Sequence, residues 1–272
     1  MPFTEHNCGG LIYDTADGLS APGGIRHAFT TRHGGVSEAP FDTLNFADNR
    51  GDRPENMLEN YRLLGSAAGF NAKRVIGCRQ VHGGDVHIAR EEDAGRILWD
   101  ERPCDADALI TDMPDTPLVA FGSDCCTVLL YDPDARCIGA AHAGWRGTAI
   151  GTVRNTVEAM VRTFGAKPQC IRAAIGPSIG KCCFITHDDV PQAMPDDPDI
   201  RRHIVPVGEK FSVDLKSINR EWLLKAGVLP EHIEIHPDCT MCRPDRYWSH
   251  RLMGGQRGGM IAVIALEKED AR

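Results

Sequence analysis

The stretch Ser123-Asp-Cys-Cys-Thr-Val-Leu-Leu-Tyr-Asp-Pro-Asp-Ala-Arg-Cys-Ile-Gly-Ala-Ala-His-Ala-Gly-Trp-Arg-Gly147 is the most informative for the fold. Two apolar runs rich in β-forming residues, 128–131 and 137–141, flank the turn signal Pro133-Asp-Ala-Arg136. Such runs on either side of a short polar turn are typical of a β-hairpin. The stretch therefore predicts two antiparallel strands, with polar residues at the open end of the hairpin.

A cysteine and a histidine meet at that open end. A turn of two or four residues places Cys125 directly opposite His142, whereas a three-residue turn places Cys126 there, since a one-residue slip reverses the faces of a strand. Either register makes a thiol and an imidazole cross-strand neighbours that can share one metal ion. If His82 joins them, three ligands leave a fourth position open, as in catalytic zinc sites. The alternative is a buried thiol with hydrogen-bonded, purely structural histidines.

The rest of the chain mixes helices and strands without strict alternation, which favours an α+β fold over a doubly wound one. Amphipathic periodicity predicts helices over residues 54–65, 148–164 and 214–226, the last with Asp214 as N-cap. Strands are predicted at residues 108–111, 118–121, 128–131, 137–141, 171–175, 233–236 and 260–266. The stretch 188–202, rich in proline and aspartate, predicts a surface excursion inside one domain that spans residues 1–272.

Composition excludes several function classes. The 272 residues are 42% hydrophobic and 25% charged, as expected of a globular chain with a sizeable core. A net charge of −8 argues against nucleic acid or an anionic membrane as partner. No run approaches the roughly 18 apolar residues of a membrane span. The eleven cysteines and the absence of a secretory signal predict reduced thiols in the cytoplasm, while the oligomeric state does not follow from the sequence.

Short motifs run in one order along nearly the whole chain. They are Thr30-Thr-Arg-His-Gly-Gly-Val-Ser37, Thr43-Leu-Asn-Phe46, Gln80-Val-His-Gly83, Asp105-Ala-Asp-Ala-Leu-Ile-Thr111, Ser123-Asp-Cys125, Ala141-His-Ala-Gly-Trp-Arg-Gly147, Ile175-Gly-Pro177, Cys239-Thr240 and Ser249-His-Arg251. Together they resemble the YfiH-like family. Its members were once described as multicopper polyphenol oxidases or laccase-domain proteins and are now described as purine nucleoside phosphorylases.

The resemblance implies a function and a site. It implies a zinc site that is also the catalytic site, formed by His82, Cys125 and His142, and so favours Cys125 over Cys126. It implies a layered α/β/β/α single domain with mixed sheets. It further implies that a purine nucleoside such as adenosine, inosine or methylthioadenosine is cleaved with phosphate. An adenosine deaminase activity, served by a zinc-bound water, also follows from the resemblance.

Phosphorolysis requires a phosphate held beside the anomeric carbon, and arginine forks bind phosphate oxygens bidentately. Arg146, four residues after His142, is the leading candidate, followed by Arg32 and Arg251. Asn45 is a candidate for the ribose hydroxyls. The alternative for each arginine is a structural or surface role, and for Asn45 a hydrogen bond within its own turn.

Three other functions compete with this interpretation. Two histidines and one cysteine also suit copper, so a copper-dependent polyphenol oxidase is the first, although a multicopper enzyme needs clustered histidines and no His-x-His pair occurs. The second is a metal-free hydrolase in which Cys125 is the nucleophile and His142 the base. The third is a structural zinc module that combines Cys239-x-x-Cys242 with Cys182 and Cys183, although a second Cys-x-x-Cys pair is missing.

Overall fold

The computed structural model describes residues 3–98 and 101–268. The strands among these residues are β1 Phe3–Cys8, β2 Leu11–Ala16, β3 Ile25–Thr30, β4 Val86–Ile88, β5 Ala108–Thr111, β6 Leu118–Gly122, β7 Cys126–Asp132, β8 Cys137–Ala143, β9 Arg172–Ile175, β10 Ile185–Thr186, β11 Ile204–Val207, β12 Lys210–Val213, β13 Ile233–Ile235 and β14 Met260–Leu266. The helices are α1 Asp17–Ser20, α2 Pro54–Ala68, α3 Trp145–Ile150, α4 Thr152–Phe164, α5 Asp189–Ala193, α6 Pro198–Arg201, α7 Leu215–Lys225 and α8 His250–Met253.

Two sheets stack face to face between helices. One has the order β13-β9-β7-β8-β5-β4 and is mixed, because β13 pairs with β9 and β4 with β5 in parallel while its other pairs are antiparallel. The other, β1-β2-β3-β14-β6, is antiparallel throughout. A small sheet, β10-β12-β11, stands apart from both. The prediction of an α+β fold with mixed sheets is confirmed.

Three apolar clusters define the layers. Val128, Leu130 and Ile110 of the mixed sheet pack against α4 and α7. Their strand neighbours, among them Leu129 and Ile138, face the antiparallel sheet. The far side of the antiparallel sheet packs against α2, through residues that include Met57, Tyr61 and Val263. This is the predicted α/β/β/α order. No helix among the described residues is both long and apolar enough to cross a bilayer.

The helix predicted over residues 148–164 is wrong as a single element. The chain forms α3 and α4 instead, because Gly151 adopts a left-handed conformation with φ of 77° and interrupts the helix. A Cβ at Gly151 would lie 3.3 Å from the Trp222 ring, so the glycine also permits close packing. The predicted helix 54–65 continues to Ala68, and Asp214 caps α7 by accepting a hydrogen bond from the Ser217 amide, as predicted.

Two other expectations are corrected. The stretch 188–202 is more than a surface excursion, since α5 and α6 contribute Val190, Met194 and Ile200 to the core. The N-terminal strands β1–β3, the short strand β4 and the small sheet were not predicted. Strand β1 carries polar residues at most positions and lies at a sheet edge, so it lacks the alternating apolar pattern of a half-buried strand.

The hairpin that the opening stretch predicted is present, with a four-residue turn, but its predicted register is wrong. Asp132 pairs with Cys137, which places Thr127 opposite His142. Cys125 lies two residues before Thr127, so it is on the same face as His142, as expected, but it is not the residue that pairs with His142. Cys126 points to the opposite face, where it is buried in the core beneath the helices.

Candidate metal centre and its two cavities

The structure brings His82, Cys125 and His142 together, the three residues that the family resemblance named. One nitrogen of each imidazole and the Cys125 Sγ all lie within 4.8 Å of one another. The two imidazole rings are perpendicular, with centroids 4.9 Å apart. Gly144 lies against the group, and a Cβ there would be 2.9 Å from Cδ2 of His82 and 3.0 Å from Sγ of Cys125. A glycine is therefore required for this close approach.

Asp107 orients both histidines. Its carboxylate lies 2.8 Å from Nδ1 of His142 and accepts hydrogen bonds from the backbone amides of Val81, His82 and Gly83. Because a carboxylate only accepts, Nδ1 of His142 carries the proton and Nε2 is left to face Cys125. His82 itself has a φ of 61°, an uncommon conformation that the three amide hydrogen bonds stabilise. One buried carboxylate thus holds the imidazole of His142 and the backbone of His82.

The electrostatics of the group favour a thiolate. Burial raises the pKa of the Cys125 thiol, but His142 and His82 outweigh burial and lower this pKa to about 6. Burial lowers the pKa of His142, whereas Cys125 and Asp107 raise it to about 9. In the metal-free protein, Cys125 and His142 are therefore a thiolate–imidazolium pair near neutral pH. By contrast, burial raises the pKa of Cys126 to about 11.

Asp124 ties the Cys125 loop to the C-terminal part of the chain. It has a φ of 83°, and its buried carboxylate accepts hydrogen bonds from Thr240 Oγ1, Ser249 Oγ and the backbone amide of Arg251 at 2.6, 3.1 and 2.6 Å. These bonds bring α8 beside Cys125, although α8 is more than one hundred residues away in sequence. Asp124 therefore determines which side chains border the metal centre.

A cavity of about 280 Å³, which we call the arginine-lined cavity, opens on one side of the three ligands. It is bordered by Arg50, Arg102 and Arg257, and the only carboxylate among its described lining residues is Asp48, which pairs with Arg102 at 2.9 Å. Arg257 is only 5% exposed, and its Nε has no hydrogen-bond partner among the described residues. Burial and the neighbouring Arg50 lower the pKa of Arg257 to about 10. A buried cation with an unsatisfied donor suits an anionic ligand.

A second cavity of about 650 Å³, the aromatic-lined cavity, lies on the other side. Trp145, Phe184 and Leu215 give it apolar walls, and Arg146 and Arg251 border it. The two cavities share His82, Cys125, Ser123 and His250. The candidate metal centre therefore lies between a cavity bordered by three arginines and a larger cavity that combines aromatic walls with charged residues.

The structure divides the four predicted substrate-binding residues into two pairs. Arg146 is exposed, its guanidinium stacks on Trp145 at 4.1 Å, and it makes no hydrogen bond or ion pair with any described residue. Arg251 stacks on Phe184 and donates to the Ile185 carbonyl. Both border the aromatic-lined cavity.

Arg32 and Asn45 border neither cavity. Arg32 stacks on Trp248 at 3.8 Å and donates to the carbonyls of Pro244 and Asp42. Asn45 is fully buried, donates to Asp52, and accepts from the amides of Ala47 and Gly259. These hydrogen bonds occupy the polar groups that the sequence analysis assigned to substrate, so the two side chains support the loops behind the site.

Several residues of the site were not predicted from the sequence, among them Asp107, Asp124 and Arg257. Asp107 stands in the quoted Asp105-Ala-Asp motif, and Asp124 directly precedes Cys125, but nothing local indicates where either carboxylate points. Arg257 lies in the glycine-rich segment Gly254-Gly-Gln-Arg-Gly-Gly259. Glycines often stand where a ligand or another part of the backbone comes close, and they are the one sequence signal for Arg257.

Residues 26–267 match the family described as multi-copper polyphenol oxidoreductase laccase. The chain belongs to this YfiH-like family. It is 36% identical over 247 residues to "Purine nucleoside phosphorylase YlmD" of Geobacillus stearothermophilus, covering 88% of this chain and 89% of that one. It is 37% identical over 255 residues to a purine nucleoside phosphorylase of Deinococcus radiodurans, covering 93% and 94%.

Solved YfiH-like structures have the same fold. The Bacillus licheniformis hypothetical protein YfiH superposes with a TM-score of 0.90 at 29% identity, over 98% of this chain and 99% of that one. YlmD of Geobacillus stearothermophilus gives 0.89 at 32% identity, over the same shares. The resemblance predicted from the motifs is confirmed for the family and its fold. The roles of individual YfiH-like site residues stay predictions.

Proposed function

We propose that this protein is a zinc-dependent purine nucleoside phosphorylase. The observation that carries the proposal is a three-ligand centre between two cavities, one bordered by three arginines and one with aromatic walls. The relatives named purine nucleoside phosphorylase support it. The reaction joins a phosphate oxygen to C1′ of the nucleoside and breaks the bond from C1′ to the purine nitrogen, so the two substrates need adjacent sites of different chemistry.

The three ligands fit a zinc ion. His82 and His142 offer imidazole nitrogens, Cys125 offers a thiolate, and their ligand atoms lie within 4.8 Å of one another. Three protein ligands with an open position are typical of catalytic zinc, and the hydrogen bond that His142 Nδ1 donates to Asp107 is the kind of outer contact that such ligands have. When bound, the metal supplies a Lewis acid that polarises an oxygen of the substrate or of water.

The arginine-lined cavity is the proposed phosphate site. Arg257 is buried with an unsatisfied Nε, and Arg50 lies close enough to affect its ionisation. A dianion between these guanidinium groups relieves their repulsion and completes the hydrogen bonding of Arg257. This assignment differs from the sequence-based preference for Arg146, which borders the other cavity.

The aromatic-lined cavity is the proposed nucleoside site. Trp145 and Phe184 provide apolar surface for a purine, and Arg146 and Arg251 provide donors for its polar edge or for the ribose. The purine leaves with the bonding electron pair and takes up a proton. His250 borders both cavities and is placed to supply that proton.

Metal analysis combined with a phosphate-dependent assay tests the proposal. We expect zinc in the purified protein and release of free base from adenosine, inosine or methylthioadenosine only when phosphate is present. Ammonia release from adenosine, measured in the same reactions, tests the additional deaminase activity.

The competing functions give different results. Oxygen consumption with a phenol and stoichiometric copper would favour the oxidase. Activity that survives chelation but not thiol alkylation would favour the cysteine hydrolase. Base release that does not depend on phosphate would contradict the phosphorylase.

A further inference from the structure

A second group of potential metal ligands lies outside the candidate active site. The sulfur atoms of Cys182, Cys183, Cys239 and Cys242 all lie within 4.8 Å of one another. None of the four borders either cavity. The motif Cys239-x-x-Cys242 alone provides only two thiols. The adjacent residues Cys182 and Cys183 provide the second pair.

The spacing of the sulfurs suits one tetrahedral ion. Zinc–sulfur bonds of about 2.3 Å place tetrahedral ligands roughly 3.8 Å apart. Sγ of Cys242 is 3.6 Å from that of Cys182 and 3.4 Å from that of Cys183. A disulfide joins two sulfurs at about 2.05 Å and gives no reason for two further thiols to lie beside them. Four thiols grouped this closely therefore match a shared ion better than a single bridge.

The backbone around the four cysteines is arranged as for thiolate ligands. The amide of Cys183 donates to the Gly180 carbonyl, and the amide of Cys242 donates to the Cys239 carbonyl, so two tight turns present the sulfurs. The amide of Gly180 donates to Sγ of Cys239 at 3.1 Å. A Cβ at Gly180 would lie 3.2 Å from Cβ of Cys239, so glycine at this position lets the two segments approach closely.

A buried cation lies close by. Lys216 of α7 donates to the carbonyls of His236 and Asp238 at 2.7 and 2.6 Å and interacts electrostatically with Cys239. Four thiolates around a divalent ion carry a net charge of −2, which a neighbouring ammonium stabilises.

We propose that Cys182, Cys183, Cys239 and Cys242 bind a structural zinc ion, separate from the centre at Cys125. Four thiolates are soft ligands that suit a zinc ion, and a site whose four positions are all filled by protein is structural rather than catalytic. The inference does not depend on the proposed phosphorylase function.

The position of this site suggests what the ion does. It joins the segment after β9 to the segment that leads to α8. The first segment continues into Phe184, which borders the aromatic-lined cavity, and the second contains Thr240, which binds Asp124. The ion would therefore fix a cavity wall and the loop of Cys125 by a cross-link that the apolar core does not provide.

Zinc content of variants tests the proposal. We expect about two zinc equivalents per chain in the reduced wild-type protein and about one in Cys125→Ser. The double variant Cys239→Ser/Cys242→Ser should also hold about one and should melt at a lower temperature, since metal binding contributes to folding. Cys170→Ser, which removes a thiol that lies beside Asp134 instead, is the matched control and should keep both ions.

Two further measurements keep the test decisive. If the double variant does not fold, Cys242→Ser removes a single exposed ligand and should weaken retention of one ion against a chelator. Cobalt substitution of Cys125→Ser should produce intense sulfur-to-cobalt charge-transfer absorption. One zinc in the wild type and none in Cys125→Ser, or a disulfide among the four cysteines in protein prepared with reductant, would overturn the proposal.

Discussion

Asp107 and His142 are joined by a 2.8 Å hydrogen bond, and the same carboxylate accepts the backbone amide of His82. Burial raises the pKa of Asp107, but His142 and the amides of Gly83 and Val81 lower it overall, so Asp107 is ionised. An ionised acceptor keeps the Nδ1 proton on His142 and leaves Nε2 free to bind metal.

Asp107→Asn should therefore weaken metal binding by about 10- to 100-fold, as is usual when the outer partner of a ligating histidine is lost. Competition with a chromophoric chelator measures the affinity. Asp105→Asn is the control, because that exposed carboxylate pairs with Arg79 and not with a ligand. Equal affinities in the two variants would show that Asp107 does not orient the metal ligands.

The two adjacent thiols should differ sharply in reactivity once metal is removed. Because the thiolate is the nucleophile, alkylation of Cys125 by iodoacetamide should increase as pH rises through about 6. Cys126 is buried beside Ser178 with its pKa raised to about 11, so it should remain unmodified at pH 7. Peptide mass spectrometry of the folded, metal-free protein measures both sites.

Serine variants provide the control for this experiment. Cys126→Ser should keep the alkylation profile and the metal bound at Cys125, whereas Cys125→Ser should lose both the pH-dependent alkylation and that one metal ion. A Cys125 that reacts only above about pH 8, like an ordinary thiol, would contradict the thiolate–imidazolium pair.

Arg257 and Arg146 should affect different substrates. Arg257→Met should raise the KM for phosphate by about 10- to 100-fold with zinc content unchanged, since a hydrogen bond to a charged group contributes about 1.5–3 kcal/mol. Arg146→Ala should mainly change the KM for the nucleoside. Initial rates with each substrate varied in turn separate the two effects. If the KM for phosphate rises in Arg146→Ala but not in Arg257→Met, then Arg146 binds the phosphate, as the sequence favoured, and the assignment to Arg257 is wrong.

The local features of the fold were predictable, and the distances between segments were not. The sequence predicted the hairpin turn, the Asp214 cap and the apolar face of α7, which depend on neighbours within a few residues. On α2 it predicted that Met57, Tyr61 and Leu64 are buried, but Leu58, expected on the same face, is exposed. The residues left the face of β7 open between Cys125 and Cys126, and the family resemblance favoured Cys125, which lies on the face of His142. The predicted pairing was two positions off, because a four-residue turn that pairs Asp132 with Cys137 places Thr127 opposite His142.

The candidate metal ligands were named from the sequence, whereas the residues that contact them were not. The three ligand residues belong to types that bind metal, and the family motifs select them. Asp107, Asp124 and Arg257 act by hydrogen bonds or charge across long stretches of chain, and their types occur throughout the surface as well. Asn45 is the opposite case. Its motif made it a candidate for binding the ribose hydroxyls, but its side chain forms hydrogen bonds within the protein.

His27 should make stability depend on pH. Its Nε2 accepts the Ala16 amide at 2.8 Å, so it is neutral in the folded protein, and burial together with His6 lowers its pKa to about 4. The unfolded chain binds a proton near pH 6.5, so the free energy of unfolding should decrease as pH falls from about 6.5 to 4, by about 3 kcal/mol. Urea unfolding at pH 7 and pH 4.5 measures the decrease.

His27→Gln isolates this contribution, because the amide oxygen can accept the same hydrogen bond but does not titrate. The variant should lose less stability than the wild type between the two pH values. If both proteins lose the same amount, His27 is not the source of the dependence.

Gly144→Ala should impair the metal centre without harming the fold. Gly144 has φ of −62° and ψ of 174°, which alanine adopts freely, so the backbone is not strained. The added Cβ would lie 2.9 Å from His82 and 3.0 Å from the Cys125 sulfur, so one of the ligands must move. Overpacking of this kind costs about 1–3 kcal/mol, which corresponds to a loss of metal affinity of about 10-fold or more.

The melting temperature of the metal-free variant should match that of the metal-free wild type. Gly255→Ala is the control, since a Cβ there meets nothing within 4 Å and should leave the affinity unchanged. Wild-type affinity in Gly144→Ala would mean that the three ligands do not need the close approach that this glycine allows.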